Sequence, residues 1–145
     1  MEKKAKIKIG QLPTVDAIAF QMSQLFHNLI SNSLKFSKKD VPPIITITSR
    51  KLPEKEIKKY SSLDPFVPYV EIIFKDNGIG FDQKYAKKIF TIFQRLHDKE
   101  TYNGTGIGLA LCKKIVENHK GEIFSNAKEN EGALFHIILP IKKRE

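Results

Sequence analysis

Apolar residues recur at helical spacing in three parts of the chain. From Ala17 to Ser37, in AIAFQMSQLFHNLISNSLKFS, the repeating positions are Met22, Leu25, Phe26, Leu29, Ser33 and Phe36. This period of three to four residues predicts a long amphipathic helix docked on a core. A second helix is predicted from Gly108 to about His119, and a short helix over QKYAKKIFTIF.

Alternating and β-branched segments predict the strands. PIITITSR is short and β-branched, and YVEIIFKD places Val70, Ile72 and Phe74 on one face of a strand and Glu71 on the other. GEIFSNA and ALFHIILP form two closing strands joined by the turn KENEG. The charged, proline-punctuated segment KLPEKEIKKYSSLDPFVP predicts an exposed hairpin loop or insertion. This order predicts a mixed α+β fold with helices on one face of a sheet.

Composition limits the class of protein. A chain of 145 residues with 41% hydrophobic and 28% charged residues fits one folded domain, spanning residues 1–145. The single cysteine, Cys112, cannot form an internal disulfide. The basic start MEKKAKIKIG is not followed by an apolar run of signal-peptide length, and no segment is long enough to cross a bilayer. We therefore expect a cytoplasmic domain without direct membrane contact.

The net charge of +9 raises nucleic acid as a possible partner. The lysines are scattered as pairs along the chain and do not form one stripe, which is typical of solvated helix and loop edges. We therefore expect no nucleic-acid partner and rank nucleotide binding above it. A nucleic-acid binder would associate with oligonucleotides in a salt-dependent way that Asp76→Asn leaves unchanged.

Three polar residues share one face of the first predicted helix. Asn28, Asn32 and Lys35 are spaced by four and three residues, which places them within about 60° of one another. An asparagine oxygen can complete a Mg²⁺ shell built from water and phosphate oxygens, and a lysine can neutralise phosphate charge. Taken alone, an ordinary polar helix edge is the better interpretation.

Asp76 falls on the apolar parity of its predicted strand, directly before Asn-Gly-Ile-Gly. A carboxylate that faces a core needs a hydrogen-bond donor, which a ligand can supply. Gly78 and Gly80 would let the backbone turn tightly under a flat ligand. Adenine offers an exocyclic amino group where guanine has a carbonyl, so a carboxylate here favours ATP over GTP. A plain Asp-Asn-Gly turn is the alternative.

Three glycines alternate with larger residues before the last predicted helix, at positions Gly104, Gly106 and Gly108. The N–H groups and dipole at the start of that helix would face phosphates. The segment contains neither the Gly-Lys-Ser/Thr of a Walker A loop nor the spacing of a dinucleotide fingerprint. A flexible linker is the alternative, and the regular interleaving of the glycines argues against it.

Four segments in series resemble the boxes of one family. FHNLISNSLKF, DNGIGF, IFTIFQRL and GTGIGLAL are similar to the N, first glycine, phenylalanine and second glycine boxes of the catalytic, ATP-binding domain of sensor histidine kinases. That domain has the Bergerat fold, shared with gyrase and the large heat-shock chaperone. The resemblance covers about Leu12 to Pro140. It implies a two-layer α/β sandwich with a mixed, mostly antiparallel sheet and a mobile ATP lid.

The resemblance also implies roles for individual residues and implies ATP and Mg²⁺ as cofactors. Asn32 resembles the Mg²⁺ ligand, Asn28 its polar support, and Asp76 the adenine-reading aspartate. Lys35 and Arg95 resemble the phosphate contacts that stabilise charge during transfer. The two glycine boxes would contribute Gly78, Gly80, Gly104, Thr105, Gly106, Ile107, Gly108 and Leu109.

Two further comparisons with the family concern packing around the nucleotide. Phe90 and Phe93 resemble the aromatic pair at the base of the lid, which would run from Arg95 to Thr105. Many relatives have a threonine near the start of the last strand that shares a water with the aspartate. This chain has Ala133-Leu134 there, which puts that contact in doubt.

The residue four positions before Asn32 separates kinases from ATPases in this superfamily. Its ATPases have a general-base glutamate there, whereas this chain has Asn28, which cannot accept a proton at neutral pH. The resemblance therefore implies transfer to a histidine on a separate dimerisation domain, which would have preceded Met1, with a response regulator downstream. The chain's own histidines are expected to have structural or solvated roles: His27, His97, His119 and His136. An ATP-binding sensor module or a slow ATPase is the alternative.

Overall fold

The fold is known from a computed structural model that describes residues 4–91 and 108–141. In chain order its elements are β1 Lys6–Ile9, α1 Ala19–Lys35, β2 Ile44–Lys51, α2 Glu54–Ile57, β3 Tyr69–Asp76, two 3-10 turns at Gln83–Tyr85 and Lys88–Phe90, α3 Gly108–Asn118, β4 Glu122–Ala127 and β5 Ala133–Pro140. The two long predicted helices and the four predicted strands are confirmed.

The five strands form one mixed sheet in the order β1-β2-β3-β5-β4. β1 runs parallel to β2, and the other neighbours are antiparallel. The mostly antiparallel sheet is confirmed, but the sequence did not predict β1. All four β1 residues are exposed, and lysines alternate with isoleucines along it, a pattern typical of a charged edge strand.

Helices α1 and α3 cover one face of the sheet. The alternation along β3 directs Val70, Ile72 and Phe74 toward them, as predicted. The Phe26 ring of α1 meets the Phe74 ring edge to face at 5.0 Å between centroids. Leu25 and several strand residues are fully buried here, so this interface is the main core. No helix in the described part of the chain has the length and apolarity needed to cross a membrane.

The segment between β2 and β3 covers the other face of the sheet. Leu52, Ile57 and Leu63 are buried against Tyr69 and Ile138, so the prediction of an exposed loop was wrong for these residues. These three residues are separated by charged residues and fit no single period, so the sequence pattern did not predict their burial. β3 is therefore covered on both faces.

The short helix predicted after β3 is instead a pair of 3-10 turns. Asp82 caps the first turn by accepting a hydrogen bond from the Lys84 N–H at 3.0 Å. The Gln83 carboxamide accepts from the Ala127 N–H at 2.7 Å, which ties the turn to the edge of β4. Both side-chain anchors belong to the first turn, and the second turn has no side-chain cap. Phe90, in the second turn, is buried and packs edge to face against Phe135.

Candidate functional site

Asp76 is the last residue of β3, and its side chain lies on the helix-covered face, as its parity predicted. The Ser33 hydroxyl donates to Asp76 Oδ2 at 2.9 Å. The backbone N–H groups of Gly78 and Ala133 donate to Asp76 Oδ1 at 2.9 Å and 3.2 Å. Three protein donors, all uncharged, therefore meet the carboxylate. The Ala133 contact is a backbone one, and it differs from the water-mediated threonine contact that the sequence put in doubt.

The electrostatic setting of Asp76 is unusual because, in the part of the chain that the structure describes, no cation pairs with it. None of the ion pairs found within residues 4–91 and 108–141 involves Asp76. Burial raises the pKa of Asp76 above its ordinary value, and the hydrogen bonds from Gly78, Ser33 and Ala133 act in the opposite direction. Asp76 is only half-buried, so a ligand can reach it. It is also one of the residues that line a cleft of about 280 Å³, to which no residue of α1 contributes.

The two glycines after Asp76 allow close contacts between backbone segments. A Cβ on Gly78 would lie 2.5 Å from the Phe36 carbonyl oxygen, and the next residue, Ile79, donates its N–H to that same oxygen at 2.9 Å. Gly80 has φ of +63°, and a Cβ there would lie 2.2 Å from the Lys128 carbonyl oxygen. The space freed by both glycines thus faces protein backbone, and their role beneath a ligand stays a prediction.

Asn77, whose role was not predicted from the sequence, anchors the turn that follows Asp76. Its Oδ1 accepts from the Ile44 N–H at 2.8 Å, and its Nδ2 donates to the Pro42 carbonyl at 3.2 Å. These bonds fix the start of β2 beside the Asp76 turn. The Asp-Asn-Gly sequence signals a turn but not this long-range anchor.

The polar face of α1 reaches the same end of the sheet. Asn32 is half-buried and directly precedes Ser33, which touches Asp76, whereas Lys35 is exposed. Asn28 forms a side-chain hydrogen bond with Cys112 of α3; burial raises the pKa of that thiol to about 12, and the Asn28 bond opposes the rise. Asn28 therefore lies against α3, and its role as a support residue stays a prediction.

The donor set on α1 fits a magnesium ion that arrives with its own ligands. In the described part of the chain, no group of three His, Cys, Asp or Glu side chains could hold a metal. Mg²⁺ commonly keeps waters and phosphate oxygens and takes only one or two protein oxygens. The Asn32 carboxamide oxygen suits that arrangement.

Several predicted site residues lie outside the described residues and stay predictions. They are Arg95, Gly104, Thr105, Gly106 and Ile107. The predicted lid from Arg95 to Thr105, which includes His97, and Phe93 also lie there. Gly108 is the exposed first residue of α3, and a Cβ there would meet nothing within 4 Å. Leu109 is partly buried and packs against the main core.

The described histidines differ in their surroundings. His27 is exposed. His119 accepts the Ile18 N–H on Nε2 at 3.0 Å, so its proton is on Nδ1, which faces the Ile115 carbonyl at 2.8 Å. His119 thus joins the start of α1 to the end of α3. His136 lies on the outer face of the sheet, in contact with Glu71.

Comparison with known proteins gives concordant results. The family described as histidine kinase-, DNA gyrase B- and HSP90-like ATPase matches residues 18–143. Cyanobacterial phytochrome A of Nostoc sp. is 40% identical over 144 residues, covering 99% of this chain and 17% of the phytochrome. The sensor protein kinase WalK of Staphylococcus aureus is 35% identical over 122 residues, covering 83% of this chain and 26% of the kinase. This chain thus spans only a small part of either relative.

Solved structures show the same architecture. The mycobacterial sensor histidine kinase MprB superposes with a TM-score of 0.73 at 19% identity, covering 97% of this chain and 85% of that chain. The likeness confirms the predicted two-layer α/β fold.

Proposed function

The chain belongs to the histidine kinase-, DNA gyrase B- and HSP90-like ATPase family, and on this premise we propose that it binds Mg²⁺·ATP and donates the γ-phosphoryl group to a histidine on a separate dimerisation domain. Residues 1–145 would then act as one catalytic domain of a two-component signalling histidine kinase. The observation that carries the proposal is the Asp76 carboxylate, a half-buried acceptor held by three neutral donors.

The chemistry of Asp76 favours adenine. An ionised carboxylate accepts hydrogen bonds and donates none, so it binds a purine through an amino group. Adenine has that group at the ring position where guanine carries a carbonyl oxygen. A carbonyl oxygen facing Asp76 would leave two acceptors in contact, at a cost of about 1–3 kcal/mol. Asp76 therefore selects ATP over GTP.

The remaining residues would bind the triphosphate. Asn32 would contribute one oxygen to Mg²⁺, and Lys35 and Arg95 would stabilise charge on the phosphates. The backbone N–H groups from Gly104 to Leu109 would close over the phosphate oxygens at the start of α3. When bound, ATP supplies an electrophilic γ-phosphoryl group. The chain's own contribution is to orient that group and to exclude water.

Asn28 supports transfer to a protein histidine over hydrolysis. It stands where the superfamily's ATPases have a general base, and its carboxamide hydrogen bonds Cys112. A carboxamide does not remove a proton from water at neutral pH. Bound ATP therefore awaits the histidine of a dimerisation domain, and a response regulator would receive the phosphoryl group next.

A thermal-shift titration tests nucleotide binding. We expect Mg²⁺·ATP to raise the melting temperature of the wild-type chain, Mg²⁺·GTP to raise it far less, and Asp76→Asn to remove the ATP effect. Asp40→Asn is a matched control, because Asp40 is exposed and its φ of +63° suits asparagine. Equal stabilisation by both nucleotides, or an unchanged ATP shift in Asp76→Asn, would contradict the proposed site.

A transfer assay tests the kinase step. The chain is incubated with ATP labelled in the γ-phosphoryl group and with the histidine-containing dimerisation domain of its own parent kinase. We expect label on that domain with the wild type and none with Asp76→Asn. Arg95→Ala is expected to lower the transfer rate more than the ATP affinity. ATP binding without any labelled acceptor would instead indicate a sensor module.

A further inference from the structure

Ser33 connects the helix layer to the Asp76 carboxylate. It is 3% exposed, and its hydroxyl donates to Asp76 Oδ2 at 2.9 Å across 43 residues of chain. A serine inside a helix commonly donates to the carbonyl one turn earlier. A hydroxyl has a single proton, and here that proton is committed to Asp76. The sequence predicted Ser33 to be one of the core positions along α1, but its contact with Asp76 makes it part of the site.

The hydrogen bonds to Asp76 can be counted against its capacity. A carboxylate offers about four acceptor positions, two on each oxygen. Oδ1 already accepts two backbone N–H groups, from Gly78 and Ala133. Among the donors of residues 4–91 and 108–141, only the Ser33 hydroxyl donates to Oδ2. Within this described part of the chain one acceptor position is left, and it is on Oδ2.

We propose that Ser33 is a positioning residue that sets purine specificity, because its hydroxyl fixes the Asp76 carboxylate with one acceptor position directed to the base. The inference rests on the proposed nucleotide function and deepens it. The adenine amino group needs a single acceptor and matches the free position. Guanine also has an edge with two adjacent donors, N1–H and the 2-amino group, and that edge needs both carboxylate oxygens. Saturated Oδ1 excludes that pairing.

Ser33 also supports the charged form of Asp76. The carboxylate has no ion-pair partner within residues 4–91 and 108–141, so its charge depends on neutral donors. The Ser33 bond is one of three that oppose the rise in pKa caused by burial. Removal of the hydroxyl therefore raises the Asp76 pKa further, and ATP affinity should be lost at a higher pH during acidification.

The test compares nucleotide affinities of variants by isothermal titration calorimetry. We expect Ser33→Ala to weaken Mg²⁺·ATP binding about tenfold and to change Mg²⁺·GTP binding much less, so that the ATP preference falls. Ser33→Cys keeps the side-chain volume with a weaker donor and should give the same trend if alanine destabilises the core. Ser125→Ala is the matched control, because Ser125 is also 3% exposed but donates to the Ala86 carbonyl.

A pH titration of ATP affinity separates positioning from a purely structural role. We expect the midpoint of the acid loss to move to higher pH in Ser33→Ala and to stay in place in Ser125→Ala. Unchanged nucleotide preference and an unchanged midpoint in folded Ser33 variants would overturn the inference while leaving the proposed function intact. A wild-type chain without ATP preference, or an Asp76→Asn variant that still binds ATP, would overturn the proposed function itself.

Discussion

Strand β3 carries two carboxylates, five residues apart, on opposite faces of the sheet. Glu71 is buried on the outer face, where Arg50 Nε donates to it at 2.7 Å and His136 Nδ1 lies 3.1 Å away. Asp76 ends the strand on the helix-covered face, and the donors that meet it within residues 4–91 and 108–141 are all neutral. The cationic Arg50 commits Glu71 to the fold, whereas neutral donors leave the charge of Asp76 available to a ligand.

The surroundings of Glu71 confirm its structural character. Arg50 also forms a bidentate pair with Glu56 of α2, with both N···O distances at 3.0 Å. Hydrogen bonds to Glu56 and then to Glu71 raise the pKa of Arg50 above its ordinary value. The His136 ring stacks on Phe124 with centroids 4.4 Å apart. This network joins the covering segment to the sheet, and the Glu71 side chain at its centre is buried.

The largest expected effect comes from Glu71→Ala. The change removes a buried acceptor from Arg50 and His136 together, so we expect the free energy of unfolding to fall by about 3 kcal/mol. The value is at the low end for a buried pair because the Arg50 side chain is 46% exposed. Urea denaturation measures the loss, and ATP affinity should remain at the wild-type value.

Glu56→Ala is the control for Glu71→Ala. It removes the solvent-facing partner of Arg50 and leaves the Glu71 contacts in place, so its effect on unfolding should be much smaller. If Glu71→Ala instead lowered ATP affinity while leaving stability unchanged, the division between a structural and a ligand-binding carboxylate would be wrong.

A second prediction concerns pH: through Asp76, rising pH should lower the stability of the fold and raise the affinity for ATP. Burial raises its folded-state pKa above the ordinary value of 3.8. Its contribution to stability is therefore greatest below the unfolded-state pKa and declines as pH rises through the folded-state pKa. ATP affinity should increase over the same interval, because the purine amino group needs an ionised acceptor.

The measurement is the difference between wild type and Asp76→Asn across the acidic range. Unfolding free energies of the nucleotide-free proteins should diverge in favour of Asp76→Asn as pH rises. ATP affinity should depend on pH in this interval only in the wild type. A wild-type chain that instead gains stability relative to Asp76→Asn with rising pH would show that the three donors outweigh burial.

The sequence predicted the positions of Glu71 and Asp76 as far as they depend on local residue patterns. The alternation along β3 placed Asp76 on the helix-covered face and Glu71 on the other, and both positions are confirmed. Helical periodicity placed α1 and α3 correctly to within two residues at each end. These features follow from periods of two residues in strands and 3.6 residues in helices. Such periods are visible in a segment even when its tertiary contacts are unknown.

Features that depend on distant partners were not predicted. β1 is a strand because it lies beside β2, and its four exposed residues carry no burial pattern. Ser33 fits a stripe of core positions on α1, and only contact with Asp76 shows its donor role. The segment that covers Glu71 is packed through three apolar residues, Leu52, Ile57 and Leu63, which are dispersed among charged residues. Tertiary contacts decided each of these cases.

The smallest expected effect comes from His136→Phe, which tests how much His136 contributes to the anchoring of Glu71. Phenylalanine keeps the ring that stacks on Phe124 and loses the hydrogen bonds to Glu71 and Asn126. Because Arg50 still donates to Glu71 at 2.7 Å, the loss of unfolding free energy should be about 1 kcal/mol. In the double variant with Glu71→Ala, the histidine change should cost still less, because the shared contact is already gone. If His136→Phe alone matched the cost of Glu71→Ala, the histidine would be the main partner, and the half-exposed Arg50 would add little to the anchoring of Glu71.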